Sequence, residues 1–109
     1  MTIGIDLEEV IRFEKNYKEV NFLNLIFSKK EIDYCFLKKA PYRSLAGKFC
    51  AKEAVKKALQ KNISIKDIEI LNDKEGKIFV NIKGKLNKMI KCSISHTKKY
   101  ATAIAIIEK

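Results

Sequence analysis

SLAGKFCAKEAVKKAL, residues 44–59, decides how the rest of the chain is arranged. Wound at about 100° per residue, it carries apolar side chains almost all the way round: Leu45, Ala46, Phe49, Cys50, Ala51, Ala54, Val55, Ala58 and Leu59. A helix of that kind is enclosed on most sides. Ser44 can cap it, after a break at Ala40-Pro41-Tyr42-Arg43, and the pattern ends near Leu59. One carboxylate, Glu53, stands among Lys48, Lys52, Lys56 and Lys57. An acid between apolar neighbours costs free energy unless it is paired or bound to a cation. Two readings are open. Glu53 pairs with Lys57 four residues on, an interaction of roughly 0.2–0.5 kcal/mol. Alternatively, Glu53 is the ligand of a hard cation such as Mg²⁺, and the lysines hold the phosphates that the metal also touches.

The flanking segments supply both helices and strands. Ile3 and Ile5 alternate with Gly4 in a short strand ending at Asp6, and from Leu7 the apolar positions (Val10, Ile11, Phe13, Tyr17, Val20) follow helical spacing. A second helix is expected over residues 21–27, and Ser28 reads as the cap of a third beginning KKEIDYCFL. SIKDIEIL and KIFVNI, joined by NDKEG, form a hairpin pattern; LNKMIK reads as a helical turn. CSISH and YATAIAII are two strands joined by Thr97-Lys98-Lys99. The expected class is α+β, an antiparallel sheet with helices packed on one side, in a single domain over 1–109.

Composition narrows the setting. The 109 residues are 47% hydrophobic with one proline, which excludes a disordered chain. Lys and Arg exceed Asp and Glu by 23 to 13, so an anionic partner is expected. The lysine pairs at 29–30, 38–39, 56–57 and 98–99 are scattered, and no RNP-like or GXXG motif occurs, which argues against nucleic acid. YATAIAII is too short to span a bilayer, no secretory signal is visible, and three cysteines lack metal-type spacing. A cytosolic, non-membrane protein is the expectation.

Two further residues carry candidate chemistry. Asp6 ends a strand, where rigid backbone would hold it as a second metal ligand; with Glu9 three residues on, it also fits a capping box. His96, the only histidine, shares strand parity with Cys92 and Ile94. It is open to half-burial against the core, or to a role as proton donor or phosphate contact near neutral pH. Nothing marks Cys92 as an activated nucleophile beside it.

GIDLEEVIR, FSKKEI, LAGKFCAKEAVKKAL and SISHTKKYATAIAII, in this order, resemble the bacterial holo-acyl-carrier-protein synthases, the small 4′-phosphopantetheinyl transferases. The resemblance implies transfer of the phosphopantetheine arm of coenzyme A to a serine of apo acyl carrier protein, with release of adenosine 3′,5′-bisphosphate. It implies Asp6 and Glu53 as Mg²⁺ ligands and Lys48, Lys57 and His96 near the cofactor phosphates. Arg12 would meet the acidic carrier protein, and the assembly would be a homotrimer. His96, Glu53 and a metal-bound water are all open as the group that deprotonates the serine. After Leu59 the connection is shorter than the family's, with Asn62 able to take a left-handed backbone. The rival readings are a basic binding module for RNA or an acidic protein, and an inactive relative.

Overall fold

The structure, a computed structural model, describes residues 1–108. Strand β1 (Thr2–Glu9) leads directly into helix α1 (Val10–Asn16), followed by α2 (Val20–Ile26), α3 (Lys29–Phe36) and the long α4 (Pro41–Leu59). A 3₁₀ turn (Ile65–Asp67) precedes β2 (Ile68–Asn72) and β3 (Ile78–Ile82). The short β4 (Lys85–Leu86), β5 (Ile90–His96) and β6 (Tyr100–Ile107) complete the chain. The α+β class holds, with the strands divided between two antiparallel three-stranded sheets, β1-β6-β5 and β2-β3-β4. The first strand thus pairs with the last, Thr2 facing Ile107 and Glu9 facing Tyr100.

α4 crosses the inner face of the first sheet, and small residues let it come close. Ala101, Ala103 and Ala105 of β6 are buried beneath it. At Gly4, an added Cβ would lie 2.0 Å from the Ala54 carbonyl oxygen and 2.8 Å from the Ala58 nitrogen. Strand and helix backbones are in contact there, which only glycine permits. At the other end, a Cβ on Gly47 would lie 3.0 Å from Ile94 Cγ2 and 3.9 Å from the His96 ring. The helix therefore runs diagonally, from β5 at its N-terminal part to β1 at its C-terminal part. Phe13 ties α1 to this layer, with Phe22, Phe27 and Phe49 ring centroids at 5.9, 6.2 and 5.4 Å.

A buried ion pair joins the helices to the second sheet. Lys52 Nζ lies 2.7 Å from Glu31 Oε1, and both side chains are fully buried. Lys52 also donates to the Ile26 and Ile65 carbonyls at 2.8 and 3.3 Å. Glu31 accepts from the Ser28 and Ile70 amides at 2.9 and 2.7 Å. Ser28 and Glu31 form a reciprocal capping box at the start of α3, as the Ser28 cap leads one to expect.

Other local expectations are corrected. α4 begins at Pro41, not Ser44: proline's fixed φ suits the first helical position, and the amide it lacks is one that a helix start leaves unpaired. Leu7 to Glu9 remain in β1 because they pair with Thr102, Ala101 and Tyr100; helix begins only at Val10. LNKMIK contains no helix. Lys83 and Gly84, both with positive φ, turn β3 back into β4. The left-handed residue after α4 is Gln60 (φ 56°), not Asn62, because the helix ends at Leu59 and Gln60 caps it.

Gly4→Ala is expected to lower unfolding stability by about 3 kcal/mol, the upper end of ordinary overpacking penalties, since the new methyl meets backbone that cannot rotate away. Urea denaturation followed by circular dichroism checks this; an unchanged midpoint contradicts the close approach.

Candidate active site

β1 alternates. Gly4, Asp6 and Glu8 face α4, while Ile3, Ile5 and Leu7 face outward. Asp6 is thus brought against the α4 face that carries Cys50, Glu53 and Lys57. Lys57 Nζ lies 3.3 Å from Asp6 Oδ1 and donates to the Ile5 carbonyl at 2.9 Å. One turn before Glu53, the Cys50 thiol donates to the Ala101 carbonyl at 3.2 Å. Burial, then the Asp6 and Glu8 charges, push that thiol up to about 12. Glu53 lies one turn after Cys50 and one turn before Lys57, and its charge acts on Glu8, which shares the inward face of β1 with Asp6.

Glu8 is the acid that sequence reasoning missed. Burial, then the adjacent Asp6 carboxylate, holds its carboxyl above the ordinary range; Glu53 acts in the same direction and Arg12 opposes it. The Arg12 guanidinium lies 3.5 Å from Glu8 and stacks over the Phe49 ring at 5.1 Å. Asp6 Oδ2 is buried without a hydrogen-bond partner among the described residues, and no ion pair reaches Glu53. Asp6, Glu8 and Glu53 thus outnumber Lys57 and Arg12 here. Among the described residues no three His, Cys, Asp or Glu side chains form a metal cage by themselves. The donor set fits a hard cation that takes its other oxygens from a ligand or water.

The lysines are distributed differently from the sequence expectation. The Glu53–Lys57 pair is absent because Lys57 reaches across to Asp6. Lys52 points into the core. Lys48 is buried too, donating to the Ile70 carbonyl at 2.5 Å and to Asn72 Oδ1 at 2.6 Å beneath the Tyr34 ring. Burial lowers its pKa. The Asp6–Glu9 capping box is also absent, since both residues are in strand.

A second cavity of about 480 Å³ opens beside the N-terminal half of α4. Lys38, Lys39, Arg43, Lys48, His96 and Tyr34 are on its wall. Arg43 Nε is buried there with no partner among the described residues, leaving a cationic donor free for an anion. His96 is exposed on this wall, not half-buried, because it ends β5. Across the sheet His96 faces Ala101, which faces Glu8, so two strand spacings of roughly 5 Å each separate it from the carboxylates. Lys38, Lys39 and Arg43 carry no sequence signal beyond charge; Pro41 between them, as a helix start, would have shown that they converge on the head of α4.

Residues 2–105 match the family model of the 4′-phosphopantetheinyl transferase superfamily. The chain belongs to that superfamily. It is 42% identical to a holo-[acyl-carrier-protein] synthase from Chloroherpeton thalassium, over 99% of this chain and 98% of the relative. One from Thermodesulfovibrio yellowstonii is 43% identical over 96% of each chain. A Bacillus anthracis holo-(acyl-carrier-protein) synthase crystallised with CoA (3′,5′-ADP) superposes with a TM-score of 0.81 at 32% identity, covering 97% of this chain and 94% of that one. The Helicobacter pylori enzyme in complex with coenzyme A gives 0.80 at 31%, covering 97% and 99%. A transferase fold thus carries the acid pair and the basic cavity.

Burial pushes the Cys35 thiol up to about 12 and the half-buried Cys92 thiol up to about 11. Native protein at pH 8 is therefore expected to react slowly with DTNB, at Cys92 first, whereas denatured protein releases three equivalents at once. Rapid native labelling at Cys50 would contradict its position beneath Asp6 and Glu8.

Proposed function

We propose that this chain, as one domain over residues 1–109, transfers the 4′-phosphopantetheine arm of coenzyme A to a serine of apo acyl carrier protein. The observation that carries the reading is the arrangement along α4: a basic cavity beside its N-terminal half, and Asp6 paired with Lys57, with Glu8 and Glu53 acting together, beside its C-terminal half. Coenzyme A, with a nucleotide phosphate at one end and a pyrophosphate within, has anionic groups for both. The relatives' names and their coenzyme A complexes support the same substrate pair.

In this reading Lys38, Lys39, Arg43 and His96 bind the nucleotide phosphate, and Lys48 forms the cavity floor. Lys57 holds the pyrophosphate beside Asp6. Asp6 and Glu53 would hold Mg²⁺, which, when bound, neutralises charge on the pyrophosphate oxygens. The serine oxygen forms a bond to the phosphorus bearing the pantetheine arm. The bond from that phosphorus to the bridging oxygen breaks, and adenosine 3′,5′-bisphosphate leaves. Such transfer depends mostly on positioning and charge stabilisation, which fixed lysines and carboxylates supply. Glu53, with no ion pair among the described residues, takes the serine proton; His96 stays with the phosphate end. Arg12, half-exposed at the rim of the acid pocket, meets the acidic carrier protein.

Assembly follows from the outer face of β1. Ile3, Ile5 and Leu7 are 63%, 63% and 64% exposed, and Ile5 faces Ile104 across the ladder. An apolar sheet face of this kind calls for a partner, and we assign it to contacts within a homotrimer. No helix among the described residues is long and apolar enough to cross a membrane, in keeping with action in the cytoplasm.

Incubation with coenzyme A, apo carrier protein and Mg²⁺, read by intact mass, is expected to add one arm per carrier. Glu53→Gln should fold normally and lose more than the ~10–100-fold typical of removing a supporting partner alone. A fully active Glu53→Gln protein would overturn the ligand assignment. Separately, Ile5→Lys should shift the protein from trimer to monomer in light scattering; an unchanged mass rejects that face as the interface.

A further inference from the structure

We propose that the buried Glu31–Lys52 pair is a positioning device: it sets the rotation of α4 about its axis and so holds Glu53 and Lys57 against Asp6. The inference rests on the transferase reading for its consequence, but the device is visible in the fold itself.

Lys52 is the residue immediately before Glu53, so the direction of one side chain fixes the other at about 100° around the helix. The Lys52 ammonium is held from three separate elements: Glu31 of α3, the Ile26 carbonyl ending α2, and the Ile65 carbonyl of the 3₁₀ turn. The Phe27 ring lies 5.6 Å from it. Glu31 is fixed in turn by the Ser28 and Ile70 amides, so its carboxylate is tied to the start of α3 and to β2. Every polar group of the pair thus has directional partners anchored in backbone.

Lys48, one turn earlier on α4, is the other directional anchor, donating to the Ile70 carbonyl and to Asn72 Oδ1. Leu45, Phe49 and Val55 key the helix into the core among smaller residues, and Lys52 is the polar anchor next to Glu53. A rotation of about 30° at a radius of roughly 5 Å moves a side chain by roughly 2–3 Å. Displacements of about 1 Å at a reacting centre can lower rate ~10²-fold. A buried ion pair is seldom more stabilising than apolar groups of the same shape, so geometric specificity is the use left for this one.

The decisive variant is the double substitution Glu31→Gln with Lys52→Met. It removes both charges together, avoiding an uncompensated buried ion, keeps an oxygen for the Ile70 amide and approximates the original volumes. Three quantities are compared with wild type: the thermal midpoint, the affinity for Mn²⁺ alone by electron paramagnetic resonance, and kcat and KM for coenzyme A. The expected result is a folded protein with a similar midpoint, Mn²⁺ affinity about 10-fold or more weaker, and kcat reduced with little change in KM. Wild-type Mn²⁺ affinity and kcat in the folded double variant would overturn the proposal. So would a double variant that cannot fold at 10 °C, since the pair would then be a requirement of the fold itself. Should wild-type protein transfer no arm, the transferase reading fails, while the Mn²⁺ comparison still decides whether the pair positions the acids.

Discussion

The contact between the Gly4 backbone and α4 at Ala54 and Ala58 governs the molecule. Without a side chain at Gly4 the helix can lie on β1; with one, it would be displaced and the neighbouring Asp6 carried away from Lys57. The alanines of β6 extend the same low surface, and Gly47 completes it against β5. Because α4 crosses this surface diagonally, position along the helix translates into position across the sheet. Its first turns open on the His96 strand and its last turns on the Asp6 strand. An extended anionic substrate with two charged regions can therefore be held along one helix.

Charge is divided by burial more than by sequence. Lys48 and Lys52 look like parts of a basic surface, yet both ammonium groups bond inward, and desolvation lowers both pKa values, with Glu31 opposing the shift at Lys52. Directional hydrogen bonds offset the cost of burying them. Among the described residues, Lys57 is the central lysine that reaches Asp6. The free cationic groups of the second cavity come instead from around the head of α4, Lys38, Lys39 and Arg43. A net charge of +10 thus says less about the binding surface than the few cations left facing a cavity.

Much of the fold was legible where a local pattern and its tertiary use agree. The β2–β3 hairpin, the Ser28 cap and the β5–β6 strands joined by Thr97-Lys98-Lys99 are of this kind, since alternation and turn chemistry are satisfied by near neighbours. Leu7 misled because its helical spacing lost to pairing with Thr102 on a strand distant in sequence. Glu31 was unread for a similar reason: Ser28-x-x-Glu31 announces a cap, but nothing local says that the same carboxylate reaches Lys52 and Ile70. Of the site, Asp6, Glu53 and Lys57 stood out by type and resemblance. Glu8 did not, because its role comes from sharing the inward face of β1 with Asp6. Gly4 was the overlooked signal, a glycine inside a strand pattern where a backbone approaches closely.

β1 also couples two properties that are usually separate. Its even residues, Gly4, Asp6 and Glu8, face the helix, and its odd residues, Ile3, Ile5 and Leu7, face outward as an apolar stripe. A one-residue slip in register would exchange the two sets, burying isoleucines under α4 and turning the acids outward. Gly4 forbids that slip, because an isoleucine in its place would occupy the space of the Ala54 carbonyl. In the proposed reading, the residue that allows the helix to approach therefore also fixes which side of the strand would bind substrate and which would meet another subunit. The proposed assembly and the proposed catalysis would share one register.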